Sequence, residues 1–206
     1  MQPHDPILNF VLRKENLPAT LDILKRADEI RRALLQTFWD ALLSHLKTTT
    51  PRRLAKLRHM QWVFWPSGEG CGASEYELYF TDARFPKQGQ HLNYCVQHYV
   101  SGSSFDVGYG IMWDEQEPTK SHIQQMPQVE KLRQSLNVDI FTSSSAWWLG
   151  RAGLFQENAV EEFLKRYAKN ASQVERKVSE DFWQLVDDTF DLVAEANRAI
   201  QRRRQR

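Results

Sequence analysis

Cysteine is nearly absent from this chain: Cys71 and Cys95 are the only two in 206 residues. Secreted scaffolds that depend on disulfides use more cysteine in shorter chains, so reduced thiols and an intracellular, cytoplasmic protein are expected. Long hydrophobic runs are missing too, and no stretch approaches the roughly 20 apolar residues that cross a bilayer. Met1-Gln-Pro-His-Asp-Pro6 has neither the basic start nor the apolar stretch of a secretory signal. Excess charge of one sign is also lacking. The 27 Lys and Arg against 26 Asp and Glu leave +1, too weak a field to steer nucleic acid or a membrane onto the whole molecule. No G-K-[ST] occurs, which excludes a P-loop, and no G-x-S-x-G elbow occurs. Gly68, Gly70 and Gly72 form G-x-G-x-G without the later glycine and helix start of a dinucleotide site.

What is present is globular in composition: 41% hydrophobic, 26% charged, 12% aromatic. A chain of this length buries roughly 70% of its unfolded surface and needs no staple. Charge is distributed unevenly. Residues 1–59 carry 11 basic and 6 acidic side chains, residues 60–147 carry 5 and 10, and residues 148–206 carry 11 and 10. A basic first part therefore precedes an acidic middle, which is either a two-faced surface or ordinary solvation of helix faces.

Asp5-Pro6 reads as an N-cap followed by proline at the first helical position, opening a short helix that ends near Asn16-Leu17-Pro18. Thr20 then caps a longer helix to about Lys47, with Ile23, Ala27, Ile30, Leu34, Phe38, Leu42 and Leu46 at steps of three and four. Met60–Trp65, Glu75–Phe80, His91–Val100 and Val107–Trp113 are aromatic or β-branched and predict four strands. Their short connections favour antiparallel pairing, because a parallel crossover needs a dozen or more residues. Period two puts His91, Asn93, Cys95, Gln97 and Tyr99 on one face of the third strand; Leu92, Tyr94, Val96, His98 and Val100, the more apolar set, face the helices. A helix is expected over Val129–Leu136. Val138–Thr142 and Ser145–Leu149 are expected to form one or two further strands. Capping-box-like starts at Asn158 and Ser172 lead into a helix with two apolar lines. One runs through Phe182, Leu185, Thr189, Leu192, Ala196 and Ala199, and the other through Trp183, Val186, Phe190 and Val193. The expected fold is one α+β domain over residues 1–206, an antiparallel sheet of four or more strands packed against long N- and C-terminal helices. It comprises a basic helical part (1–59), a mainly β, acidic part (60–150) and a helical part (151–206).

Several residue constellations bear on chemistry. Zinc needs four convergent ligands, but His98 falls on the face opposite His91 and Cys95, and Cys71 sits alone in a glycine-rich turn. A Cys95–His98 nucleophile pair would need a bulge to converge. Glu175-Arg-Lys177 matches E-x-K but falls in a helix start, where a metal-dependent nuclease needs a strand end. No catalytic residue, metal or cofactor is assigned. Two binding readings remain. Trp62, Trp65, Tyr79, Trp113, Trp147 and Trp148 are the candidate contacts for another protein, since interface hot spots favour Trp, Tyr and Arg. Arg31, Arg32, Arg52, Arg53, Arg202, Arg203 and Arg204 are the candidates for sequence-independent nucleic-acid contact, although the aromatic strands carry the wrong charge for a phosphate-tracking groove.

The order of these elements resembles a known family region. A long helix with Phe38-Trp-Asp-Ala-Leu42, strands ending in Tyr109-Gly-Ile-Met-Trp113, then Trp147-Trp-Leu149 and long C-terminal helices are similar to the accessory C-terminal region of bacterial PD-(D/E)XK phage-defence nucleases. The strand-borne D…E-x-K core of those enzymes is absent. The resemblance implies a non-catalytic accessory domain whose partner is a nuclease or another defence-system subunit, of bacterial or phage origin.

Overall fold

The computed structural model of the chain describes residues 6–50, 55–66, 76–85, 91–101, 104–114, 121–142 and 147–204. It divides into two compact units, Met1–Asp40 and Ala41–Arg206. The first holds α1 (Pro6–Val11), α2 (Leu17–Lys25) and most of α3 (Ala27–Thr48). The long helix expected from Thr20 instead begins at Leu17, with Pro18 in its first turn, where a missing N–H costs nothing. Thr20 does not cap it: its hydroxyl donates to the Asn16 carbonyl at 2.9 Å. The helical path leaves ideal geometry at Arg26 (φ −103°, ψ 12°). Backbone bonds still bridge that point, from Arg26 N–H to the Asp22 carbonyl and from Ile30 N–H to the Arg26 carbonyl. Asp5, the expected first cap, lies outside the described residues.

The second unit is built on a five-stranded antiparallel sheet in the order β1-β2-β3-β4-β5: β1 (Met60–Pro66), β2 (Tyr76–Asp82), β3 (Leu92–Ser101), β4 (Ser104–Trp113) and β5 (Trp148–Glu157). Each strand pairs with its sequence neighbour, as the short connections require. Residues 138–140 form a turn, not a strand, and Thr142 contributes only an isolated bridge to Arg151. The fifth strand therefore starts at Trp148 and continues through Gly150 and Gly153 into the region expected to be helical.

α4 (Ser121–Gln124) and α5 (Pro127–Ser135) precede β5, and α6 (Val160–Arg204) follows it. The two capping signals fall at the starts of the two helical segments that make up α6, which meet at a kink at Asn170 (φ −145°, ψ 50°), two residues before Ser172. At its start the Glu162 carboxylate accepts from the Asn158 N–H at 3.3 Å, one position beyond the expected Glu161.

The even-numbered side chains of β3 face α6. The Tyr94 and Thr189 hydroxyls are 3.1 Å apart. Asn197 acts as a substitute strand neighbour: its side-chain oxygen accepts from the Leu92 N–H (2.7 Å) and its amide donates to the Leu92 carbonyl (2.9 Å). Phe80, Trp62, Phe182 and Trp183 cluster between sheet and helix, with ring centroids 4.8–6.2 Å apart. The end of α3 joins the same helix, since the Thr49 hydroxyl lies 2.7 Å from that of Ser179 and accepts from the Trp183 indole N–H at 3.3 Å. Among the described residues no helix is long and apolar enough to cross a membrane.

Candidate interaction surface

The sequence-predicted aromatic contacts separate by location. Trp113 is buried on the helix side of the sheet, and Trp62 is half-buried within the aromatic cluster against α6. Trp148 is buried on the opposite face, where it packs with Cys95 and Met112 and against the half-buried Tyr79. Trp147 is the exposed one at 39%. Trp65 pairs with Glu77 in the β1–β2 register, and its side chain lies outside the described residues. The five with described side chains are thus spread over both faces of the sheet, not gathered on one surface.

That opposite face also carries a row of polar groups that strand alternation alone did not mark as connected. Glu77 on β2 accepts from the Tyr79 hydroxyl (2.6 Å) and from the Gln97 amide (2.8 Å). On β5, Arg151 donates to Asp106 at 2.7 Å, and its guanidinium lies 5.7 Å from the Trp148 ring centroid. Gly108 permits this placement, because a Cβ there would come within 2.5 Å of the guanidinium and 2.7 Å of the Ala152 carbonyl. Cys95 lies between these charged ends, fully buried. Burial pushes its thiol well above the usual range, with the nearby Glu77 carboxylate adding to that and Arg151 opposing it. Burial likewise raises the Tyr79 phenol. Both groups are held in their neutral forms, the reverse of the lowered pKa that makes a reactive thiolate.

The histidines do not converge with Cys95. His98 is buried on the helix face between the rings of Tyr76 and Phe105, and His91 lies 3.6 Å from the Asp114 carboxylate. Cys71 and the Gly68–Gly72 run lie outside the described residues. No group of three or more His, Cys, Asp or Glu side chains able to hold a metal occurs among the described residues. Lys177 of the E-x-K match pairs with Asp181 one turn along α6.

The basic candidates are scattered. Arg31 pairs with Asp28 on α3, Arg32 donates to the Asp28 carbonyl, and Arg202 and Arg203 are exposed near the end of α6. Arg52 and Arg53 lie outside the described residues, as does the Arg204 side chain.

Among the described residues, the largest set of exposed apolar side chains is in the first unit. Phe10, Leu12, Leu17, Leu21, Ile23, Leu24, Ile30 and Leu34 are all exposed, with Leu24 at 65% and Ile23 at 60%, and α2 has no buried residue. Isolated exposed leucines are ordinary, but eight large apolar side chains exposed within 25 residues are more than scattered single positions. In sequence, Ile23, Ala27, Ile30 and Leu34 form one stripe continuous with Phe38 and Leu42. The structure divides that stripe, with Phe38 and Leu42 buried and Ile23, Ile30 and Leu34 exposed. A second apolar line on α2, Leu17-Leu21-Leu24, was the available signal, since a short helix apolar on two faces has more surface than one core contact covers.

No protein-family profile, no curated protein and no solved structure matches this chain.

Proposed function

We propose that the protein is a non-enzymatic interaction module that contacts another protein through the apolar surface of α2 and the first half of α3. The supporting observation is the cluster of exposed apolar side chains from Phe10 to Leu34. Leaving such surface in water forgoes roughly 25 cal/mol for every Å² that a partner would cover. Trp62 and Trp113 support the module differently, as part of the platform beneath α6, with Trp147 as a peripheral contact. The resemblance to nuclease accessory regions makes a nuclease or other phage-defence subunit the expected partner.

The test is affinity capture by the full chain from nuclease-treated host lysate, beside a Leu21→Asp/Leu24→Asp variant. A near-stoichiometric protein held by the wild type and lost with the variant is the expected result. Equal recovery by both would remove this surface from the reading. The exposed Arg202 and Arg203 support a second reading, sequence-independent nucleic-acid contact. That reading requires affinity falling steeply with salt, and binding indifferent to salt would dismiss it.

A further inference from the structure

The two edges of the five-stranded sheet are finished differently. On the outer side of β5, Thr142 exchanges two backbone bonds of 2.9 Å with Arg151, and the β4–β5 register shifts twice. Both features keep a further strand from adding. β1 has neither. It pairs with β2 over seven residues in one register, and none of Met60–Pro66 is charged. The Ala83 N–H donates to the His59 carbonyl at 2.8 Å, continuing that register, so His59 and Ala83 form a hydrogen-bonded pair. Alternation along an antiparallel ladder then turns the backbone of Gln61, Val63 and Trp65 towards β2, and that of Met60, Trp62, Phe64 and Pro66 to the outer edge. Proline at 66 agrees with this, since it removes an N–H from the outer edge and none from the ladder. Among the described residues, nothing bonds to these outer groups.

We infer that the outer edge of β1 takes an extended segment of another protein as a sixth, antiparallel strand, apolar at alternate positions and acidic just after its last paired residue. It is a second contact, on the second unit, beyond the α2–α3 surface. The backbone specifies the form of the occupant. Three N–H groups and four carbonyls, on alternate residues about 6.8 Å apart, match the groups of an extended chain and not those of a helix. The side chains specify its pattern. Trp62 and Phe64 are half-buried on the α6 face beside Phe80 and Tyr76, so residues paired with them gain burial by being apolar. The intervening positions fall beside the exposed Gln61 and are polar. Charge specifies the flank. Residues 55–66 contain Lys56 and Arg58 and no acid, and Arg58 is exposed, where an antiparallel segment brings its C-terminal end. A second copy of β1, with Trp62 opposite Trp62, would use the same backbone groups but set Pro66 opposite Arg58, supplying no acid there.

The experiment is residue-resolved amide hydrogen exchange on the full chain, alone and with the peptide Thr-Val-Thr-Ile-Thr-Val-Asp-Glu. Alone, the amides of Gln61 and Val63 are expected to exchange slowly and those of Trp62 and Phe64 fast. Saturating peptide should slow the latter two at least about tenfold. N-methylation of the isoleucine, whose N–H faces β1, should abolish that protection, whereas N-methylation of the threonine after it should not. Replacing the peptide's Asp-Glu end by Lys-Lys should weaken binding. Slow exchange of Trp62 and Phe64 in the free chain at every concentration would mean that the edge is already paired, and would overturn the inference. Protection that rises with chain concentration and needs no peptide would make a second copy the occupant and overturn it as well. No protection by millimolar peptide, equal effects of the two N-methylated peptides, or indifference to the reversed flank would each do the same.

Discussion

Single residues decide how closely the strands of the second unit approach. A Cβ on Gly110 would lie 2.1 Å from the Gly150 carbonyl oxygen, a backbone atom that cannot swing away. A Cβ on Gly153 would have Asp106 at 3.8 Å as its nearest neighbour. Gly110→Ala should therefore destabilise the protein by more than about 2 kcal/mol, whereas Gly153→Ala should stay within about 0.5 kcal/mol. Denaturant midpoints of the two variants check this. Cys95, fully buried and held as the thiol, should resist alkylation in the native protein and react on unfolding. Fast native labelling would contradict its placement. Asp82 supplies a pH test. Burial opposes its charge, but hydrogen bonds from the Arg84 side chain and backbone N–H outweigh this and lower its pKa below 3.8. A lowered carboxylate pKa adds stability above the unfolded value, and that stability is lost as pH falls through the folded value. Arg84 is half exposed, so the contribution is under about 1 kcal/mol. Asp82→Asn should flatten the stability profile below about pH 4 and leave neutral pH nearly unchanged.

At the scale of elements, α6 is fastened to the sheet by both apolar and polar contacts. Asn197 satisfies the N–H and carbonyl of Leu92, two buried backbone groups at the start of β3. Asn197→Ala should cost at least about 2 kcal/mol, because both groups lose their partner without access to water. Phe182→Ala should cost about 3–5 kcal/mol by opening the cluster with Trp62, Phe80 and Trp183. Thermal unfolding of the two single variants measures both. Four of the strands and the long C-terminal helix were legible because their periodicity is strong and their connections short. β5 was not: Gly150 and Gly153 have low strand propensity, and what makes them extend is the close approach of β4, a tertiary cause invisible in a local window. The break at Arg26 was hidden for a similar reason, since no proline or glycine marks it.

For the whole molecule, apolar periodicity does not distinguish a stripe buried in the same chain from one kept for a partner. Ile23, Ile30 and Leu34 read the same as Phe38 and Leu42 in sequence, yet only the latter two are buried. The aromatic count misled in the opposite direction, because Trp113 and Trp148 are consumed in packing. The polar row from Glu77 to Arg151 was illegible because it depends on four strands meeting in register. The proposed function therefore turns on whether the α2–α3 surface is covered in the cell. The most direct measurement places a photo-crosslinking amino acid at Leu24 and, in a separate protein, at Val138, which is exposed at 79% but lies in the second unit. Irradiation in living cells should give a discrete protein adduct, another chain or a second copy, from position 24 and none from position 138. No adduct from position 24, or the same diffuse adducts from both, would contradict the assignment of the N-terminal helices as the contact surface.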